Sequence, residues 1–174
     1  MDAVTGELSR LVPDVAQLVR ITARLLAALA VGTAIGLQRE LTHKTAGLRT
    51  HMLVALGTAV FVVGASEGGT DVGSLSRVLQ GVATGIGFLG GGTILKLTDR
   101  REVHGLTTAA GIWMTAAASA AAGMGQITVA IVSTILALVV LIAFRRLEKK
   151  LGHRARADGE NLPPPINEPE KDDS

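Results

Sequence analysis

The chain has 174 residues, 48% of them hydrophobic, with 17 basic and 15 acidic side chains for a formal net charge of +2, and no cysteine. So small a charge does not point to nucleic acid, and without Cys there is no disulfide framework, thiol nucleophile or zinc knuckle. A mean hydropathy of +0.41 with charges confined to short clusters predicts an all-α integral membrane protein.

Residues 1–14 mix Asp2, Glu7, Arg10 and Asp14 with short apolar pieces. They lack the basic start of a signal peptide, and Pro13 suits the beginning of a helix. Val15–Leu37 is the first predicted span, about 34 Å long as a helix against a hydrocarbon core of about 30 Å. It contains Arg20 and Arg24. Arg24 then lies within the membrane, where an arginine either snorkels to the far interface or finds a partner inside the bundle. A polar clasp, Gln38 to Thr50, separates this span from the second, Thr50–Ser66.

A Gly/Ser-rich connection, Glu67–Arg77, leads to the third span, Val78–Leu95, which is interrupted by Gly81, Gly85, Gly87, Gly90, Gly91 and Gly92. That density would break a helix in water and is tolerated in lipid. The fourth span, His104–Ala122, is mostly Ala, Thr and Gly around Trp113. After the turn GMGQ comes the fifth, Ile127–Phe144, followed by the basic run RRLEKKLGHRAR. From about Gly152 the tail is proline-rich and acidic and is expected to lack order. The organisation predicted is an extracytoplasmic segment 1–14, a five-span domain 15–145 and a cytoplasmic tail 146–174.

Orientation follows from the basic residues. Arg39, Lys44 and Arg49 lie in the first loop, Lys96, Arg100 and Arg101 in the third, and six more follow the last span. Positive loops mark the cytoplasmic side, so the N-terminus is placed outside and the C-terminus inside. Aromatics make up only 2%, so Lys and Arg must do the interfacial anchoring that Trp and Tyr usually perform. GLRT (Gly47–Thr50) is echoed by GLTT (Gly105–Thr108), which suggests two parallel helical hairpins plus one helix, with His51 and His104 in matching places.

GIGFLG (Gly85–Gly90) matches a dinucleotide fingerprint only literally, since it sits in an uncharged span with no strand before it. Gly32/Gly36, Gly81/Gly85 and Gly87/Gly91 are instead at the spacing of close helix packing, with Gly90 beside them; the alternative is a backbone-lined ion path at Gly87–Gly92. The basic loops each precede a helix start, where free N–H groups and positive side chains can hold an anion such as a lipid headgroup, a nucleotide phosphate or a partner's carboxylate. The candidate functional clasp is Gln38, Arg39, Glu40, Lys44, Arg49, Thr50, His51, Lys96, Arg101, His104, Thr107 and Thr108. A plainer reading stands beside it: Thr50, Thr107 and Thr108 cap helices, Glu40 neutralises an arginine, and the basic residues set topology. Neither His51 nor His104 has a carboxylate or histidine at helical ligand spacing, so no metal site is expected. With no paired carboxylates, nucleophile motif or P-loop, no catalytic residue or cofactor is expected either.

The segments GLQRE (Gly36–Glu40), KTAGLRTHMLVALG (Lys44–Gly57), GIGFLGGGTILK (Gly85–Lys96) and VHGLTTAAGIWMTAA (Val103–Ala117) closely resemble the signature segments of the MgtC/SapB family of bacterial inner-membrane proteins. The resemblance covers about residues 15–145. It implies five spans with the N-terminus outside, and a shared core at Gln38–Glu40, Arg49–His51, Gly87–Gly91 and Gly105–Thr108. It further implies a non-enzymatic role in growth at low magnesium, through a membrane partner for which the F-type ATP synthase is a candidate, or a second copy of the chain. A small transporter or channel for magnesium or an anion is the alternative. Virulence-associated members carry a folded cytoplasmic domain after the last span; this chain looks like the shorter members.

Overall fold

A computed structural model describes residues 14–68, 72–97 and 102–160, with backbone only for Val72, 95–97, 102–103 and 144–160. Among the described residues five helices follow in chain order: α1 Val15–Leu41, α2 Leu48–Glu67, α3 Val72–Gly92, α4 Leu106–Gly123 and α5 Ile127–Glu160. Each lies where the hydropathy of the sequence predicts a span. One element was not expected: strands β1 (Leu95–Leu97) and β2 (Glu102–His104) pair antiparallel between α3 and α4, with Leu95 opposite His104. Apolar and β-branched residues at the two ends of a short polar loop suit such a ribbon.

Several boundaries differ from expectation: α1 runs on through Leu41 and α2 begins at Leu48, so Gln38–Glu40 and Arg49 of the predicted clasp are helical and the loop between them is short. The link after α2 is shorter than Glu67–Arg77, because α3 already begins at Val72. Val72, Leu75, Val78 and Leu79 are at helical spacing, and the apolar stripe they form outweighs the Gly/Ser content. Arg77 Nη2 also donates to Ser74 Oγ over 3.1 Å, one turn back. At the other end, α5 runs on to Glu160, past Phe144 and the expected start of disorder near Gly152. Arg, Leu, Glu and Lys after Phe144 are good helix formers, and the next proline is Pro163. Residues 1–13 and 161–174 fall outside the described chain, as do the expectations that rest on them. Two compact units result, divided within α5 between Leu138 and Val139.

The helix ends have local causes. At α1, His43 and Lys44 donate their N–H groups to the carbonyls of Glu40 (2.9 Å) and Arg39 (3.2 Å), with His43 left-handed at φ 52. This crossed pair of bonds is a Schellman end, a place that normally takes glycine. The α4 end repeats it with the expected residue: Gly125 (φ 80) and Gln126 bond to Ala122 and Ala121 at 2.9 Å each. That is the GMGQ turn.

α4 is central to the first unit and packs against α1, α2 and α3. Its buried face contains Thr108, Gly111, Ile112, Thr115, Ser119 and Gly123. Small side chains make up much of the interior, with Ala28, Ala55, Ala59, Ala116, Ala118 and Ala122 among the most buried beside Ile35, Val62 and Ile112. The large apolar residues face outward: Leu53, Phe61, Phe88, Trp113, Ile135 and Leu136 are all more than half exposed. This arrangement reverses a water-soluble fold and matches helices that pack by small residues in an apolar solvent. Among the described residues, α1 and α2 are long and apolar enough to cross a membrane, and Ile127–Ala143 is a shorter apolar helix. In α3 and α4 glycine, threonine and serine dilute the apolar content.

Candidate functional site

The seam between α1 and α2 is closed by glycine. A Cβ at Gly32 would lie 2.6 Å from the His51 carbonyl oxygen and 2.7 Å from Ala55 Cβ; one at Gly36 would lie 2.9 Å from His51 Cβ and 3.0 Å from Leu48 Cα. Only glycine lets the α1 backbone come this near to α2. The approach places His51, in the first turn of α2, against the end of α1 that carries Arg39.

Arg39 is 2% exposed and His51 is fully buried. The guanidinium Nη2 of Arg39 donates to Thr108 Oγ1 over 2.8 Å, joining α1 to the first turn of α4 across the interior. His51 Nδ1 lies 2.9 Å from the Gly47 carbonyl oxygen. A carbonyl only accepts, so Nδ1 carries a proton and donates it. The other ring nitrogen, Nε2, is buried without a hydrogen-bond partner among the described residues, as is Gln38 Oε1. Gly111 of α4 lies opposite: a Cβ there would be 3.6 Å from His51 Nε2 and 3.9 Å from Arg39 Nε. An arginine, an imidazole and a threonine from three helices thus meet over a bare glycine.

Glu40 has a different task from neutralising an arginine. Its Oε2 accepts the Leu48 N–H over 2.9 Å, capping α2 from the end of α1. Its carboxylate lies so close to Gly47 that a side chain at Gly47 would collide with it. A carboxylate on free N–H groups at a helix start is favourable. The threonines are not caps: Gly47 and Gly105 occupy the N-cap positions of α2 and α4, without side-chain cap bonds. Thr50 and Thr107 are exposed, whereas Thr108 turns inward.

The predicted clasp therefore divides. Arg39, His51 and Thr108 come together inside, with Gln38 half-buried beside them in sequence. Lys44, Arg49, Thr50 and Thr107 are exposed, and so is His104. Arg101 lies outside the described residues, and Lys96 is described by backbone alone. His51 and His104 are not equivalent, since His51 lies one turn inside its helix and His104 ends β2 before Gly105. The two helix starts differ as well: Gly47 is near extended, whereas Gly105 is left-handed at φ 95.

Arg24 forms a second polar group, toward the opposite end of α1. Its Nη1 lies 3.1 Å from Glu67 Oε1 at the end of α2, and Gln17 Nε2 donates to the other oxygen, also over 3.1 Å. Arg24 thus reaches toward the end of α2 and the turn before α5, where it finds a part-exposed partner, so the two readings of it meet at the rim. The glycines of α3 contrast with those of α1: a Cβ at Gly81, Gly85, Gly87 or Gly91 would meet nothing within 4 Å, and only Gly90 approaches a neighbour, Ala109, at 3.5 Å. An apolar groove of about 640 Å³ runs beside Gly81 and Gly85, between α2 and α3. Sequence reasoning missed Gly111 and Gly123, although Gly111, Thr115, Ser119 and Gly123 recur every four residues and form one small-residue face of α4.

Known proteins resemble this chain over most of its length. The model of the MgtC family matches residues 25–150. SrpB of Synechococcus elongatus is 44% identical over 72% of this chain and 75% of its own length. YhiD of Escherichia coli K12, whose name describes a candidate magnesium transporter, is 42% identical over 73% of this chain and 61% of its own. MgtC of Salmonella typhimurium is 38% identical over 73% and 53% respectively. The chain thus spans less than two thirds of YhiD and MgtC. No solved structure matches it. The segments carrying the interior cluster lie within the matched region, and the chain belongs to the MgtC family.

Proposed function

We propose that this chain is a non-enzymatic inner-membrane protein that serves magnesium homeostasis by engaging a membrane partner, not by conducting the cation. The observation that carries the reading is the chemistry of the interior. Among the described residues, the buried polar side chains are Arg39, His51, Thr58, Thr108, Thr115, Ser119 and Thr134, with no carboxylate. A path for a strongly hydrated divalent cation needs oxygen ligands and negative charge, and the buried side chains described supply hydroxyls, a guanidinium and an imidazole instead. The magnesium connection comes from the family and from the names of YhiD and MgtC.

Five spans, with the N-terminus outside and the basic loops in the cytoplasm, follow from the positive-inside bias. The outward-facing large side chains of α1, α2 and α5 support contact with lipid. The exposed basic residues Lys44 and Arg49 then lie at the inner surface, open to anionic headgroups or to an acidic partner. The partner is another membrane protein, with the F-type ATP synthase a candidate, or a second copy. Magnesium flux into liposomes containing the purified protein tests the reading. No flux above protein-free vesicles is expected; saturable flux that Arg39→Glu increases would make the chain a transporter, as the name of YhiD suggests.

A further inference from the structure

We propose that the groove between α2 and α3 is a binding site for one phospholipid of the inner leaflet with an anionic headgroup, its acyl chain lying in the groove and its phosphate at Arg49. The inference rests on the membrane placement and orientation in the proposed function, and not on magnesium.

The argument begins with what the groove excludes. Thr58 is the one residue with a polar side chain among those that line it, and Thr58 is itself buried. A polar ligand would find nothing along the walls to replace its water. Gly57, Gly81 and Gly85 leave the walls bare, since a Cβ on any of them would meet nothing within 4 Å. Leu53 and Phe61 stand out beside them, both more than half exposed. Glycines beside large side chains make a trough that this chain leaves unfilled, and its lining atoms gain their missing dispersion contacts only when another molecule enters.

The dimensions select a hydrocarbon chain over a helix. The α2 wall, Leu53 to Phe61, is about 12 Å long and the α3 wall, Val78 to Leu89, about 17 Å. A volume of about 640 Å³ over such a length is a channel about 7 Å wide. An α-helix with its side chains is about 10 Å across and would rest on the rim. A methylene chain, about 4–5 Å across at van der Waals contact, fits inside. Phe61 is about 18 Å from Arg49 along the helix axis, close to one leaflet's share of a core about 30 Å thick. An acyl chain of the inner leaflet therefore runs the length of the groove with its headgroup level with Arg49.

Charge selects the headgroup. Arg49 and Thr50 each lie one turn before a residue that lines the groove, Leu53 and Val54, so they border its inner mouth. Both are exposed. The Arg49 guanidinium has no ion pair among the described residues, whereas Arg24 holds Glu67, and Arg77, beside the outer end of the groove, donates to Ser74. Glu40, the acidic neighbour of this helix start, is engaged with Leu48 N–H. An unpaired guanidinium beside a hydroxyl suits a lipid phosphate. A headgroup of net negative charge is favoured there over a zwitterion by about fivefold per basic residue at the surface.

The test delipidates the purified full-length protein in detergent and titrates it with phosphatidylglycerol or with phosphatidylcholine carrying the same acyl chains, and separately with sodium phosphate. Bound lipid is counted by native mass spectrometry, and the melting temperature is followed alongside. The expected result is one phosphatidylglycerol retained per chain, with saturable stabilisation at least about fivefold tighter than for phosphatidylcholine, and none from phosphate. Arg49→Gln should bring phosphatidylglycerol down to the level of phosphatidylcholine. Gly85→Leu should lose the retained lipid, because its side chain fills the trough. Gly64→Leu, at an equally open glycine of α2 outside the groove, should keep it. Equal retention of the two lipids by the parent, stabilisation by phosphate alone, or Gly85→Leu retaining lipid as the parent does would overturn the proposal. A lipid-free dimer that separates on Gly85→Leu would also overturn it and give the groove to a second copy. A protein that enters vesicles of either lipid but shows no selective site fails this proposal alone; one that enters neither removes the membrane reading with it.

Discussion

Two pairs of glycines with the same spacing meet different surroundings in this molecule. Gly32 and Gly36 in α1 touch the backbone of α2 so closely that a methyl group does not fit, whereas Gly81 and Gly85 in α3 face open space beside an apolar groove. Small residues four apart make a face on which helices can close, but they do not say whether the chain itself supplies the second helix. In α1 it does, and the closure carries His51 to Arg39. In α3 the face is left for lipid or for another helix.

The contrast is tested most severely by adding bulk. Gly32→Leu forces a side chain into the α2 backbone and should cost at least about 3 kcal/mol, at the upper end for overpacking, seen as loss of folded protein in detergent. Gly85→Leu should change stability by less than about 1 kcal/mol, since removing a helical glycine is itself favourable. Equal damage at the two sites would mean that the α3 face is also packed in the folded protein.

The interior cluster comes next in size. Arg39→Ala removes a buried cation and leaves Thr108 without its donor, a change expected to cost about 3 kcal/mol or more. Arg49→Ala, ten residues on and exposed, should fall within about 0.5 kcal/mol. Thermal denaturation of the two variants side by side distinguishes a residue inside the bundle from one on its rim.

Smaller effects belong to the loop that joins the seam. Glu40→Ala deletes the bond to Leu48 N–H and should cost about 1 kcal/mol, the usual worth of a helix cap; Glu40→Gln should recover most of it. His43 holds a left-handed conformation that disfavours a side chain, so His43→Gly should stabilise by about 0.5–1 kcal/mol. Destabilisation by His43→Gly would mean that the imidazole makes a contact outweighing the backbone preference.

How much of this was legible in the sequence depends on the range of the interaction. The five helices were, because long uncharged runs broken by charge clusters are a local signal. The resemblance also drew attention to Gln38–Glu40, Arg49–His51, Gly87–Gly91 and Gly105–Thr108, segments that include the buried Arg39, His51 and Thr108. What the sequence leaves open is direction. Arg39 and Arg49 read alike in the chain, yet one is buried and the other exposed, because Arg39 shares the face of α1 that Gly32 and Gly36 close against α2 and reaches Thr108 of α4 from there. Likewise Glu40 reads as a counter-charge, and only its place opposite the start of α2 makes it a cap. The β-ribbon was hidden because three-residue strands give no periodicity, and the burial of α4 because alanine, threonine and glycine score as weakly apolar although they form its packing face.

That the buried cluster is the working part of the molecule is tested most directly by Thr108→Val, which keeps the shape of the side chain and removes the hydroxyl that accepts from Arg39. The measurement is growth at limiting magnesium of a strain lacking its own MgtC-family protein and expressing the variant, with membrane level and melting temperature followed in parallel. Loss of growth support by a variant present at the normal level is the expected result. Full support from Thr108→Val, with Arg49→Gln losing it instead, would contradict the assignment and move the working surface to the exposed basic rim.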